Sequence, residues 1–174
     1  MTDELLVVRA QLGERDALAE LVGRWRLPVW TYVRRMLDAE RADDVAQEVW
    51  LAVVRGLPRL REPDRFTPWL FTIARRSVAD RLRGEYADRS EQLVSDGTTV
   101  ADPVEAMVDR AVLVGALAAL PVPEREVLVL FHLEDLSLAD CAQICGVPVG
   151  TVKSRLNRAR RMLREHLERG VGDE

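Results

Sequence analysis

Six cations, Lys153, Arg155, Arg158, Arg160, Arg161 and Arg164, fall between Gly150 and Arg164 with no acid among them, in a chain of formal net charge −4. Their neighbours widen the chemistry. Arg and Lys match the major-groove acceptors of guanine, the Asn157 amide can pair bidentately with adenine, and the Ser154 hydroxyl serves either base. At about 100° per residue, Ser154, Asn157, Arg158 and Arg161 share one helical face, which Lys153, Arg155 and Arg160 flank. The side chains of Arg155, Arg160 and Thr151 are placed for phosphates, which fix register without reading sequence. The opposite stripe, Val152, Leu156, Ala159, Leu163 and Leu167, is apolar and must anchor the helix. The pattern is that of a helix laid in a duplex groove.

Other chemistry is thinly represented. The chain has two histidines, His132 and His166, and two cysteines, Cys141 and Cys145. No glycine-rich phosphate loop or nucleophile–base pattern accompanies them, so neither catalytic residues, nor a metal, nor a cofactor is expected. Cys141 and Cys145 allow two readings: a thiol switch or half a zinc site completed by His132, or small core residues. Adjacent helical turns hold i,i+4 sulfurs poorly for a disulfide, which favours the core.

The elements that position the basic face are helices. "SLADCAQIC" ends at Gly146, a cheap left-handed cap, and Pro148 stops it from continuing. A new helix is expected from about Gly150 and Thr151. Ala142 lets the two helices approach closely, so the pair reads as a helix-turn-helix with its second helix in recognition position. Upstream, "PVEAMVDRAVLVGALAAL" and "PEREVLVLFHLEDL" are helical.

The first half is helical as well. "ERDALAELVGRW" carries Leu18, Leu21, Val22 and Trp25 at helical spacing, and Pro28 is read as opening a new helix, "PVWTYVRRML". From Arg41 to Leu57, Val45, Val49 and Val53 recur every fourth residue, with Gly56 and Pro58 as terminators. "REPDRFTP" reads as a loop, and "WLFTIARRSVADRLR" as a helix stopping at Gly84.

Composition agrees with this outline. Hydrophobic residues make up 48% and aromatics only 5%, which points to a Leu, Val and Ala core and hence to helices. No apolar run is long enough to span a bilayer and the N-terminus lacks a signal-peptide layout, so a cytoplasmic protein is expected. Charge divides the chain. Residues 85–120 hold two arginines against seven acids, whereas residues 1–84 hold 15 arginines against 13 acids. The expected fold is all-α: two small helical domains, 1–84 and 104–174, joined by a flexible acidic linker at 85–103.

With these residues in view, "LSLADCAQICGVPVGTVKSRLNRARRML" resembles domain four of the extracytoplasmic-function sigma factors, the two-domain branch of bacterial RNA polymerase sigma factors. "DDVAQEVWLAVVRGL" followed by "FTPWLFTIARRSVADRLR" resembles their domain two. The likeness covers nearly the whole chain, in order. It implies an initiation subunit, not an enzyme, that binds core polymerase, recognises promoter DNA and helps to melt it. The implied partners are the clamp helices of the largest subunit, the flap region of the second-largest, promoter DNA and an anti-sigma factor, with no membrane insertion.

The resemblance also implies roles for residues. Lys153, Ser154, Asn157, Arg158 and Arg161 would read the upstream, minus-thirty-five element. Arg61, Asp64, Arg65 and Phe66 would line the pocket that captures an unstacked base of the minus-ten element, with Thr72, Arg75, Arg76 and Arg83 on the helix that follows. Arg76 stands where relatives often have Asn, so base preference does not carry over. Asp43, Asp44, Gln47, Glu48, Trp50, Leu51 and Val54 would hold the polymerase. For Trp50 a second reading stays open, a crevice-filler of its own domain, and Phe66 and Trp69 can equally be core aromatics. The six linker acids (Glu85, Asp88, Glu91, Asp96, Asp102, Glu105) would mimic a nucleic-acid backbone in the polymerase cleft. A rival reading is a stand-alone helix-turn-helix regulator, which needs neither the second apolar stripe nor the arginine-rich helix after "FTPW".

Overall fold

The chain's helices begin at Thr2, whose hydroxyl accepts a hydrogen bond from the Leu5 amide and caps α1, Asp3–Gln11. The computed structural model describes residues 1–89 and 105–171. Leu6 and Val7 of α1 are buried against α2, Arg15–Met36, which continues as helix through Pro28. The expected break at that proline does not occur. Proline leaves one carbonyl of the preceding turn without its intrahelical donor. However, Leu21, Val29, Tyr32, Val33 and Met36 form one buried stripe on both sides of it, and their packing keeps the helix continuous.

α3, Ala39–Gly56, is capped by Asp38, whose carboxylate accepts from the Arg41 amide at 3.2 Å. Its Val45, Val49 and Val53 are fully buried, as their spacing requires. Two short 3-10 turns, Leu57–Arg59 and Pro63–Arg65, then lead into α4, Phe66–Arg89. The segment expected to be a loop is therefore mostly helical turn. Phe66, Thr67 and Pro68 belong to the first turn of α4, where proline's missing donor is harmless. Nor does Gly84 end the helix. It is exposed, with nothing near the place a Cβ would take, so glycine costs only its ordinary helix penalty of about 1 kcal/mol. Residues 85–89 of the expected linker are helical, and residues 90–103 lie outside the described residues.

An aromatic cluster locks these helices together. Trp25 meets Phe66 and Phe71 edge-on, with centroids 6.3 and 6.1 Å apart, and Tyr32 meets Phe71 at 5.7 Å. Trp69 packs on Phe66 and over Gly56. A Cβ added at position 56 would lie 2.9 Å from the indole, so α3 and α4 approach only because that residue is glycine.

The second half comprises α5 (Glu105–Ala118), α6 (Val122–His132), α7 (Leu138–Cys145) and α8 (Val149–Val171). Ser137 caps α7 by accepting from the Asp140 amide at 3.1 Å. Gly146 ends it at φ 66°, and the Val147 amide reaches back to the Ala142 carbonyl at 3.1 Å. The turn and helix then place Val152, Leu156 and Ala159 against Cys141, Ile144 and Cys145, all buried. The helix-turn-helix is as expected, with α8 starting at Val149. No atom crowds a Cβ at position 146, so Gly146→Ala tests backbone strain alone. It is expected to lose about 1–2 kcal/mol of stability by denaturant unfolding, with Gly146→Asn losing distinctly less.

All described elements are helical. α2 and α4 of the first half pack on α6 and α7 of the second, and the buried cluster is continuous across the seam.

Candidate nucleic-acid interface

The face of α8 opposite Val152, Leu156 and Ala159 is open to solvent. Lys153, Ser154, Asn157, Arg158, Arg160 and Arg161 are exposed, with Thr151 and Arg155 half-buried at its margin. The Ser154 hydroxyl donates to the Thr151 carbonyl at 2.9 Å, which orients it and leaves its oxygen free to accept. Two of the cations are steered from behind. Arg158 Nη1 lies 3.2 Å from Oε1 of Glu124, a buried acid on α6, yet its side chain remains 63% exposed, so the rest of its fork is available. Arg160 donates through Nε to His132 Nε2 at 3.3 Å. Burial and the neighbouring Arg160 charge both lower the pKa of His132, which keeps the ring neutral and able to accept. Arg161 lies 3.9 Å from Glu165. Sequence spacing does not single out Glu124 or His132. Nothing local distinguishes an inward-facing acid near a helix start from the usual exposed one.

The second basic surface lies on the first half. Arg61 and Asp64 are exposed beside the 3-10 turn, and Arg76 and Arg83 are exposed on α4, Arg83 pairing with Asp80. The Thr72 hydroxyl is turned to the Pro68 carbonyl at 2.7 Å. Phe66 does not join the surface. It is 1% exposed, wedged between Trp25 and Trp69, and so cannot present a ring face to a base. The assignment of Phe66 to a capture pocket is corrected: the ring is core because its backbone starts α4 over the cluster. Trp69 also packs against the core. Arg65 and Arg75 are half-buried, and both point across the seam to the second half.

A third surface is apolar. On α3, Leu51 is 52% and Val54 46% exposed, with Asp43, Asp44, Gln47 and Glu48 exposed on the turns before them. Trp50 is partly buried and packs on the core with part of its ring outside, which joins its two readings. Trp30 of α2, itself exposed, donates from Nε1 to Asp43 Oδ1 at 2.7 Å and extends this patch onto a second helix, as does exposed Leu27 one turn away. Sequence spacing does not assign Trp30 or Leu27 to this surface, because a tryptophan on a core-forming helix reads as core.

Cys141 and Cys145 are both buried, and burial pushes their thiols up to about 11 and about 12. They are core residues. Among the described residues no cluster of His, Cys, Asp or Glu could hold a metal, and no helix is long and apolar enough to cross a membrane.

Comparison with known proteins accounts for both halves. Residues 21–87 match the family model for Sigma-70 region 2, and residues 110–163 that for Sigma-70 region 4. The chain is 35% identical to the ECF RNA polymerase sigma factor SigC of Mycobacterium tuberculosis, over 89% of this chain and 85% of that one. It is 32% identical to the ECF RNA polymerase sigma-E factor of Escherichia coli, over 92% and 91%. Among solved structures, CnrH in complex with the cytosolic domain of CnrY superposes with a TM-score of 0.75 at 26% identity, covering 99% of both chains. A solvent-facing recognition helix, an exposed apolar patch on α3 and these matches over both halves lead to one conclusion: the chain belongs to the extracytoplasmic-function sigma factors, the alternative initiation subunits of bacterial RNA polymerase.

Proposed function

We propose that the three surfaces divide the work of initiation. Lys153, Ser154, Asn157, Arg158 and Arg161 read the minus-thirty-five element in the major groove, while Thr151, Arg155 and Arg160 hold phosphates. Arg61, Asp64 and Arg65, with Thr72, Arg75, Arg76 and Arg83, engage the minus-ten element. Asp43, Asp44, Gln47, Glu48, Trp50, Leu51 and Val54, joined by Trp30, dock on the clamp helices of the largest subunit, and the second half meets the flap of the second-largest. The chain has no catalysis of its own, works in the cytoplasm, and is held in check by a separate inhibitor protein, a reading supported by the complex of CnrH with the cytosolic domain of CnrY. The observation that carries this reading is the exposed, acid-free face of α8, anchored from behind by Val152, Leu156 and Ala159.

Run-off transcription with core polymerase, with and without this chain, tests it. Transcripts are expected only with the chain present. DNA binding without transcripts would make it a stand-alone regulator. On a panel of promoter variants, Asn157→Ala is expected to cost about 1–3 kcal/mol at one base position, while Arg160→Ala weakens every sequence alike. If the two substitutions behave identically across the panel, the division between base and phosphate contacts is wrong.

A further inference from the structure

Two acids on α6 are buried, and the core accounts for one of them. Glu126 accepts from the Tyr32 hydroxyl and from Arg75 Nε, each at 2.9 Å. Glu124 is just as buried. Among the described residues, however, its carboxylate meets a single side-chain donor, Arg158 Nη1 of α8, at 3.2 Å.

The place of Glu124 in the first turn of α6 does not explain its burial. An acid there gains from the helix dipole, but an outward-facing one gains as much without being desolvated. Nor is the pair a device for stability. Arg158 stays largely in water, which screens the attraction, and an apolar residue would fill the same site at no greater cost. What the arrangement does is aim a side chain. Ala159, next in sequence, is fully buried, and α6 and α8 pack together, so Glu124 reaches Arg158 from behind the exposed face. The other oriented side chains of that face are held within α8: Ser154 by the Thr151 carbonyl, and Arg161 beside Glu165. Among the described residues, Arg158 is the base-reading side chain tied to a second helix.

An arginine free in solvent settles on any phosphate and so carries no sequence information. Glu124 opposes that in two ways. It holds Nη1, while the Nε–Nη2 edge keeps two parallel donors, as the O6 and N7 acceptors of guanine require. It also sets a negative charge behind the guanidinium, which weighs against a phosphate more than against an uncharged base edge. A side chain held in this way loses less freedom on binding as well.

The geometry points to Glu124 as a specificity-determining positioning residue: acting through Arg158, it turns a general phosphate-binding cation into a reader of one guanine in the upstream element, at the expense of affinity for DNA at large. This rests on the base-reading role proposed above for α8.

The test selects, with the full chain, from a library of short duplexes randomised over about one helical turn, and sequences the bound fraction. Affinity for a fluorescent mixed-sequence duplex is measured alongside. Arg158→Ala is expected to flatten one position of the selected motif, at which the wild-type chain prefers guanine about tenfold. Glu124→Met, which fills the buried space without the charge, should cut that preference to about threefold or less, at that position and no other. It should also raise affinity for the mixed-sequence duplex about twofold, since an acid is lost beside the phosphates. Glu124→Gln, whose side-chain carbonyl still accepts from Arg158, should restore most of the preference while keeping the raised affinity. Added to Arg158→Ala, Glu124→Met should flatten nothing further. Circular dichroism is expected to show unchanged helix content throughout. An unchanged preference in Glu124→Met, beside a flattened Arg158→Ala, overturns the role of Glu124 alone. A loss spread evenly over all positions does the same, because it marks a packing residue. Selection of a base other than guanine at that position overturns the assignment of the base. If Arg158→Ala itself flattens no position, the base-reading role of Arg158 fails and this proposal fails with it.

Discussion

Phe66→Ala is expected to cost the first helical half about 3–5 kcal/mol, a large share of what holds a domain of this size together. Phe66 is fully enclosed, its ring edge-on to Trp25 and tilted against Trp69, and removing it leaves a cavity where three helical elements meet. The loss would show as a lower denaturant midpoint with little change in slope. Phe66→Leu, which refills most of the space, should recover more than half of it. A Phe66→Ala protein of normal stability but deficient in promoter melting would restore the ring to the capture pocket. By contrast, alanine at Arg61 or Asp64, both exposed, should change stability by no more than about 0.5 kcal/mol.

The second large effect is expected in binding rather than folding. Replacing Leu51 and Val54 together with Asp should leave the melting temperature nearly unchanged, because about half of each residue is already in water. The same change should lower affinity for core polymerase by more than about a hundredfold, roughly 3 kcal/mol, since two apolar contacts are lost and two charges would have to be desolvated. Competition against a labelled sigma factor measures it. Trp50→Ala is expected to affect both stability and affinity, in keeping with its half-buried ring. Unaltered affinity of the double Asp variant would move the docking site elsewhere on the chain.

The helix-turn-helix is legible in the sequence because its signals are local. Gly146 and Pro148 mark the turn, and the spacing of Val152, Leu156 and Ala159 fixes which face of α8 is left for DNA. The valine ladder of α3 is legible for the same reason. Pro28 and Gly84 look like boundaries but are not. Their local costs, one missing hydrogen bond and about 1 kcal/mol of helix propensity, are outweighed by packing or simply tolerated. Sequence alone cannot decide Phe66 between pocket and core, since a single aromatic at a helix start has no period to place it. Glu126 is beyond its reach altogether. Its partners Tyr32 and Arg75 lie 94 and 51 residues away along the chain, and no pattern in "PEREVLVLF" marks one glutamate as the buried one.

The aromatic cluster has a spectroscopic corollary. All four tryptophans, Trp25, Trp30, Trp50 and Trp69, belong to the first half, and the second has none. Intrinsic emission from this protein is therefore a private signal of one half. Trp25 and Trp69, packed beside Phe66, should emit toward the blue and report whether that half is folded, while the exposed ring of Trp30 emits toward the red and is open to quenchers. Docking of polymerase over α2 and α3 should shift the red component and protect it from iodide. Occupation of α8 by DNA should pass unseen, so an unlabelled titration can separate the two binding events.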